Sequence, residues 1–184
     1  SRESILMLGE AGHYNDTDTG QHIWRMAAYA RAIAEAVNWP EEKLDSIELA
    51  APMHDTGKIG IPNEILQAPR PLNNDEWIIM KSHTNIGYKI LSKSSSKVFQ
   101  MAAQIAVSHH EKWNGTGYPK GLSGEDIPEV ARIVALADVF DALTMKRAYK
   151  DAWSIEDTMI EIRKNSGSHF EPRLVDALEK ILPK

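Results

Sequence analysis

The residues of this chain that are best suited to chemistry are histidines and aspartates at positions where a helical pattern requires apolar side chains. His54 and Asp55 each follow an alanine of one apolar stripe by four positions, and the doublet His109-His110 continues a second stripe in the same way. Residues four apart lie on one face of a helix, so these polar groups should face the core. Imidazole and carboxylate groups buried together indicate a divalent metal ion as their shared partner.

Three further residues extend this set. His22 lies in the first turns of a predicted helix, His83 takes a position that an apolar residue would otherwise fill, and Asp138 interrupts the most apolar helix. Taken alone, His83 would be an ordinary core histidine and His22 a hydrogen-bonded one, whereas a carboxylate amid so much apolar surface is rarely buried without a partner or a metal. The interpretation therefore depends on the combination, which is His22, His54, Asp55, His83, His109, His110 and Asp138.

Seven such groups exceed the three or four ligands that one ion normally takes. They predict two divalent ions that share one carboxylate, and Asp55 is the natural bridge. The chain has no cysteine, which leaves nitrogen and oxygen ligands and indicates iron, manganese, nickel or zinc. Paired ions of this kind promote displacement at phosphorus, so hydrolysis of phosphate esters is the expected reaction class. His13 and His169 are expected to lie outside the site.

A helical scaffold must position these residues. Apolar residues recur at helical spacing, no segment alternates like a strand, and 184 residues suffice for one globular domain. The sequence therefore predicts an all-α, single-domain bundle of about seven or more helices without a significant sheet. The helices are expected over about 18–37, 40–55, 75–91, 98–110, 128–143, 154–164 and 172–182, with Pro52 loosening the end of the second.

Two connections carry further candidates. Residues 61–74 should form a loop with at most one short turn of helix, and residues 111–128 form a long glycine-rich connection. Within the latter, Trp113 and Tyr118 could stack on bases or could only pin the loop to the domain.

Asp141 lies in the same predicted helix as Asp138, three positions after it. It could orient a ligand or cap locally.

The ends and the charge of the chain limit the function classes. Residues 1–12 resemble the end of a linker helix from a preceding regulatory domain, which leaves 13–184 as the domain itself. Neither a secretory signal nor an apolar run long enough for a membrane span is present, so a cytoplasmic location is expected. A net charge of −5 argues against binding of nucleic-acid polymers. An anionic substrate would need local cations.

Three motifs resemble the signatures of the HD-GYP domains, a branch of the HD phosphohydrolases. They are HisAspThrGlyLys at 54–58, HisHisGlu at 109–111 with GlyThrGlyTyrPro at 115–119, and AspValPheAspAlaLeuThr at 138–144 followed by ArgAlaTyrLys at 147–150. The likeness spans about residues 15–178. It implies an all-α domain that hydrolyses the messenger cyclic di-GMP to pGpG, with GMP as a further product that the resemblance leaves open.

The resemblance also implies roles for individual residues. One ion would bind His22, His54, Asp55 and Asp138, the other would bind Asp55, His83, His109 and His110, and a hydroxide activated by both ions would attack phosphorus. Lys58, Arg147 and Lys150 match positions that meet the substrate phosphates, with Lys58 nearest the developing charge, and Tyr118 belongs to the substrate-binding loop.

Two positions depart from the family pattern. Asp18 stands where some members have a glutamate that binds a third metal, and its side chain is one methylene shorter. Two ions are therefore expected, with Asp18 as a candidate for a third site or for supporting the ligands. Ala148 replaces a common proline and should change only the stiffness of its loop.

Two alternatives remain open from the sequence. The domain could hydrolyse another nucleotide, or it could be a non-catalytic module that binds a nucleotide or docks to a diguanylate cyclase (GGDEF) domain. The complete ligand set and the intact GlyTyrPro loop favour cyclic di-GMP hydrolysis over both.

Overall fold

Helices dominate the computed structural model, which describes residues 1–14, 21–146 and 150–183. The helices are α1 (Arg2–Ala11), α2 (Gln21–Ala36), α3 (Glu41–Ala50), α4 (Asn63–Leu66), α5 (Asn74–Lys81), α6 (His83–Leu91), α7 (Lys97–Ser108), α8 (Glu129–Thr144), α9 (Ile155–Lys164) and α10 (Pro172–Ile181). Within the described residues, β pairing consists of isolated bridges such as Asn114–Ser123, and there is no sheet. The all-α prediction is confirmed.

The core forms where α2, α3, α7 and α8 pack against one another. Each contributes a fully buried aliphatic side chain, namely Ile33, Ile47, Ile105 and Leu136. Burying a side chain of this size stabilises the fold by roughly 1.5–3 kcal/mol. The remaining helices pack around this group, and α6 lies along α7.

Local sequence signals set several helix ends. Asn38 follows α2 with a φ of 66°, a left-handed conformation that asparagine tolerates at the end of a helix. Asn73 and Glu76 form a reciprocal capping box at the start of α5. The short helix α4 is the single turn that was expected within 61–74.

The turn that carries His54 and Asp55 is not regular α-helix. The helix α3 ends at Ala50, and two 3-10 segments follow, over Ala51–Met53 and Thr56–Gly60. Pro52 lies in the first of them, where its missing N–H and its ring are incompatible with continued α-helix. The predicted loosening at Pro52 is therefore confirmed.

The turn approaches α6 very closely at a glycine. A Cβ atom added to Gly57 would overlap the carbonyl oxygen of His83 and crowd the backbone nitrogen of Gly87. Only a residue without a side chain permits this approach. The contact brings the start of α6, and with it His83, against the His54-Asp55 turn.

One predicted helix, over 75–91, is wrong. The chain forms two helices that meet at Ser82, whose hydroxyl and backbone N–H both donate to the carbonyl oxygen of Ile79. Ile79 is 41% exposed and does not belong to the core stripe. After this break at Ser82, His83 begins a new helix and its side chain is buried.

The helix α1 packs directly on the His54-Asp55 turn. Ile5 belongs to the hydrophobic core, and an added Cβ at Gly9 would lie 3.2 Å from the Cβ of Pro52. At Gly12 it would lie 3.0 Å from the carbonyl oxygen of Asp55. The helix α1, over Arg2–Ala11, is therefore fitted against the turn at its C-terminal end. None of the described helices combines the length and apolarity that crossing a bilayer requires.

Candidate metal centre

Three buried histidines are oriented by the backbone of the helical turn that precedes each of them. The Nδ1 atom of each ring donates to a carbonyl oxygen, from His54 to Ala51 (2.8 Å), from His83 to Met80 (2.7 Å) and from His109 to Ile105 (3.0 Å). Such a bond fixes the tautomer and the direction of the ring. It leaves the Nε2 atom of each histidine directed at the same interior region.

The carboxylate of Asp55 lies between two groups of these nitrogens. Its Oδ1 atom is 3.4 Å from Nε2 of His83 and 3.4 Å from Nε2 of His109. Its Oδ2 atom is 3.2 Å from Nε2 of His54 and 3.2 Å from Nζ of Lys58. The two oxygens of one carboxylate therefore face different sets of ligands.

The His54 side of the site is completed from α2 and α8. Nε2 of His22 lies 3.3 Å from Oδ1 of Asp138, and that same oxygen lies 3.7 Å from Nε2 of His54. Nδ1 of His22 bonds to the buried carboxylate of Asp141, which also accepts from Nε of Arg25 at 2.6 Å. Asp141 thus orients His22, the first of the two roles considered for it.

The seven predicted ligands form two groups of potential ligand atoms. Within each group the atoms lie within 4.8 Å of one another: Asp55, His83, His109 and His110 form one group, and His22, His54 and Asp138 form the other. Two ligands that each stand about 2.1 Å from an ion are at most about 4.2 Å apart, so this spacing is close to what one ion requires.

Charge states on the Asp55, His109 and His110 side of the site suit metal binding. Burial lowers the pKa of His109, and burial together with the neighbouring His109 lowers the pKa of His110 well below its usual value. Both rings are therefore neutral near pH 7, the form in which imidazole binds metals. Burial alone would raise the pKa of Asp55, but the adjacent His54 and Lys58 outweigh it and hold that pKa well below its usual range.

His22 is held differently. Burial lowers its pKa, yet the bonds to Asp138 and Asp141 prevail and raise it to about 10. Without a competing cation, this ring is a proton-binding site between two carboxylates. A divalent ion would take the place of that proton on Nε2 while Asp141 keeps the other nitrogen.

Buried polar atoms without a hydrogen-bond partner mark the centre of the site. Among the described residues, they include Nε2 of His54, His83 and His109 and Oδ1 of Asp55. Orphaned buried groups are rare because each costs roughly 1–3 kcal/mol. Their convergence on one point, with a nitrogen and oxygen donor set, fits a bound cation.

Comparison with known families identifies the domain. A family model described as HD domain matches residues 10–174. The chain belongs to the HD domain family. The recognition of an HD domain from the HisAsp pair and its companion motifs is thereby confirmed.

Curated relatives match nearly all of this chain. The cyclic di-GMP phosphodiesterase response regulator RpfG of Xanthomonas campestris is 46% identical over 96% of this chain and 47% of its own length. The 3′3′-cGAMP-specific phosphodiesterase 2 of Vibrio cholerae is 44% identical over 97% of this chain and 34% of its own length. The chain thus spans a third to a half of the length of these relatives.

Solved structures contain the same HD fold. A crystal structure of a cyclic GMP-AMP-specific phosphodiesterase of Vibrio cholerae matches with a TM-score of 0.77 at 23% identity, covering 98% of this chain and 48% of that one. At this identity the match shows the fold alone. It supports the bundle described above.

The predicted substrate-binding residues of the HD domain are distributed unevenly. The ring of Tyr118 stacks on His110 with centroids 4.8 Å apart, and Nζ of Lys81 lies 5.2 Å from the Tyr118 centroid. Lys58 lies at the metal site, and Lys150 lies over the ring of Trp153, 4.6 Å from its centroid. Arg147 and Asp18, as well as Ala148, fall outside the described residues.

A buried glutamate organises the glycine-rich loop of the HD domain. Glu111 is 3% exposed and accepts hydrogen bonds from the backbone N–H groups of Lys120 and Leu122, at 2.9 and 3.0 Å. The backbone at Trp113 fixes the other end of the loop, because its backbone N–H donates to the carbonyl oxygen of His169 at 3.0 Å. Glu111 was not among the site residues predicted from the sequence.

The residue that sequence reasoning misplaced is His13. It was expected outside the site, yet it is 6% exposed and its ring centroid lies 5.5 Å from that of His54. His169 does lie elsewhere, stacked on Phe170. His13 follows the last turn of α1, and its spacing of four from the buried Gly9 is the sequence signal that could have indicated its inward direction.

Proposed function

We propose that this HD domain is a metal-dependent phosphodiesterase that hydrolyses cyclic di-GMP to pGpG, with GMP as a possible second product. The observation that carries the proposal is the position of the Asp55 carboxylate, whose two oxygens face two separate groups of histidines. Relatives 42–46% identical that are named cyclic di-GMP phosphodiesterases support the substrate.

The proposed cofactor is a pair of divalent transition-metal ions, drawn from iron, manganese, nickel and zinc. His22, His54, Asp55 and Asp138 would hold one ion, and Asp55, His83, His109 and His110 would hold the other. Paired ions of this kind supply a strong nucleophile near neutral pH and stabilise charge on the phosphoryl oxygens.

The residues of the chain itself would bind and orient the diester. Nζ of Lys58, beside the carboxylate of Asp55, would donate to a phosphate oxygen as negative charge develops there. The Tyr118 ring is held flat against His110 and would pack on the substrate at the edge of the centre. Lys150 and Arg147 remain predicted phosphate contacts.

A second candidate substrate is 3′3′-cyclic GMP-AMP. The observation that favours it is the 44% identity with a Vibrio cholerae phosphodiesterase named for that nucleotide. The two cyclic dinucleotides share the phosphodiester ring and differ in one base, so the metal centre would serve both. We favour cyclic di-GMP because RpfG, which is 46% identical to this chain, is named as a cyclic di-GMP phosphodiesterase.

Three further expectations from the sequence belong to the same proposal. They are a cytoplasmic location, an N-terminal regulatory domain in the full protein, and docking to a diguanylate cyclase (GGDEF) domain. Each concerns the protein beyond this domain and is a prediction from sequence.

The test is metal analysis joined to a product time course on anaerobically purified protein, because oxidation of iron would mask activity. Cyclic di-GMP, 3′3′-cyclic GMP-AMP and a nucleoside triphosphate should be compared at equal concentration. The expected result is about two ions per chain and fastest turnover of cyclic di-GMP. Tight nucleotide binding by metal-loaded protein without turnover would instead identify a non-catalytic module.

A further inference from the structure

The C-terminal end of α1 brings a histidine into the interior beside the metal centre. His13 lies just after α1, which is fitted against the His54-Asp55 turn through Gly9 and Gly12. Its ring centroid is 5.5 Å from that of His54 and 6.1 Å from that of His22. His13 is buried, so its ring is shielded from solvent at this position beside the centre.

His13 offers a nitrogen at a distance suitable for metal binding. A ring nitrogen of His13 and ligand atoms of His54 and Asp55 all lie within 4.8 Å of one another. A group of this spacing can close around one ion with small movements of the side chains.

The tautomer of His54 decides which ion His13 could join. Nδ1 of His54 donates to the carbonyl oxygen of Ala51, so only Nε2 is left for a metal. One Nε2 atom binds one ion. Both groups contain His54, so they must bind the same ion. One group adds His13 to that ion, and the other adds His22 and Asp138.

We propose that His13 is a further nitrogen ligand of the ion on the His54 side, an inference that rests on the metal centre proposed above. That ion would then have five protein ligands, namely His13, His22, His54, Asp55 and Asp138. Five protein ligands exceed the tetrahedral set that zinc usually takes and suit an ion that accepts six-coordinate geometry, such as manganese or iron(II).

The experiment compares Mn²⁺ binding by the wild type with that of His13→Phe, which keeps a ring but no nitrogen, and His13→Glu, which keeps a donor atom. His169→Gln is the matched control, because it removes a histidine that lies away from the centre. Binding stoichiometry and affinity are measured by titration of metal-free protein. The midpoint of thermal unfolding is recorded with and without Mn²⁺.

In His13→Phe, the affinity for one of the two ions should fall by at least about 100-fold. Even removal of groups that only orient ligands lowers metal affinity by about 10–100-fold. His13→Glu should regain most of that affinity, and His169→Gln should match the wild type. Metal-free His13→Phe should unfold near the wild-type temperature but lose much of the metal-induced rise in that temperature.

Other outcomes overturn the inference in distinguishable ways. Wild-type affinity for both ions in His13→Phe would show that His13 is not a ligand while leaving the centre intact. Equal losses in His13→Phe and His13→Glu, together with lower unfolding temperatures without metal, would identify a packing role. Failure of the wild type itself to bind Mn²⁺ or the other candidate metals would overturn the proposed centre as a whole.

Discussion

The buried carboxylate of Asp141 binds Nδ1 of His22 and Nε of Arg25 at once, which fixes the side chain of His22 between α2 and α8. Nε2 of His22 consequently faces Asp138. A residue outside the proposed ligand set thus sets the direction of a proposed ligand, the usual arrangement behind metal-bound histidines.

We expect Asp141→Asn to lower the affinity for the ion on the His54 side by about 10–100-fold. The carboxylate of Asp141 accepts from both His22 and Arg25, whereas an asparagine amide would turn its own N–H toward one of these two donors. The ring of His22 therefore loses its fixed direction. Metal titration of the variant checks this, with Asp157→Asn on the exposed start of α9 as a control. Unchanged affinity would show that the metal itself orients His22.

We expect Asp55→Ala to abolish both metal retention and hydrolysis, because one carboxylate serves both groups of histidines. Elemental analysis of the purified variant and a product time course check this. A variant that kept both ions and full activity would contradict the bridging role.

We expect Lys58→Ala to keep the metals and to lower kcat by about 10²–10³-fold, the usual effect of removing one donor to a developing oxyanion. The decisive measurement is kcat at a metal content equal to that of the wild type. A loss of metal in proportion to the loss of activity would mean that Lys58 acts through Asp55 alone.

We expect Gly57→Ala to destabilise the domain by about 2 kcal/mol or more, because the added methyl would overlap the backbone of His83. Gly124→Ala is the control: an added Cβ there meets nothing within 4 Å, and only its φ of 56° opposes alanine, at about 1 kcal/mol. Denaturant unfolding of the two variants gives the comparison. A smaller loss at Gly57 than at Gly124 would contradict the close contact.

Stability should also depend on the protonation of His169. Burial, with a smaller effect of the nearby Lys112, lowers the pKa of His169 from 6.5 to about 4. The unfolded chain therefore takes up a proton that the folded chain refuses, and the free energy of unfolding falls as the pH drops from about 6.5 to about 4. Full burial would make this loss about 3 kcal/mol, and partial exposure of the ring reduces it to about 1–2 kcal/mol.

The measurement for His169 is the free energy of unfolding of the wild type and of His169→Gln between pH 4 and 7, both without metal. Because the other histidines contribute equally to both proteins, the difference between them isolates this one group. The free energy of unfolding of the wild type minus that of His169→Gln should decrease by about 1–2 kcal/mol as the pH falls from about 6.5 to about 4. Parallel curves would contradict the lowered pKa.

Much of the fold and of the clustering in the site was accessible from sequence for one physical reason. A polar residue at a position that periodicity assigns to the core must have a partner, and His54, Asp55, His109 and Asp138 all stand at such positions. The loosening at Pro52 was predicted from a separate local property, the missing N–H and the ring of proline.

The failures have equally specific causes. Ser82 is compatible with a helix, so the break between α5 and α6 depends on tertiary packing against the Gly57 turn and not on a local signal. His13 stands four positions after Gly9 and eight after Ile5, the buried residues of α1, but residues 1–12 were expected to be a linker helix and not part of the domain. Its burial follows from how α1 docks on the turn, which only the three-dimensional arrangement reveals.

The backbone bonds to Nδ1 of His54, His83 and His109 have a consequence for how ions enter and leave. These rings stand ready before a cation arrives, so loading requires no rebuilding of helices and little loss of side-chain freedom. Exchange of one metal for another should accordingly proceed in the folded protein, and the ion found in the cell would reflect supply more than any folding step.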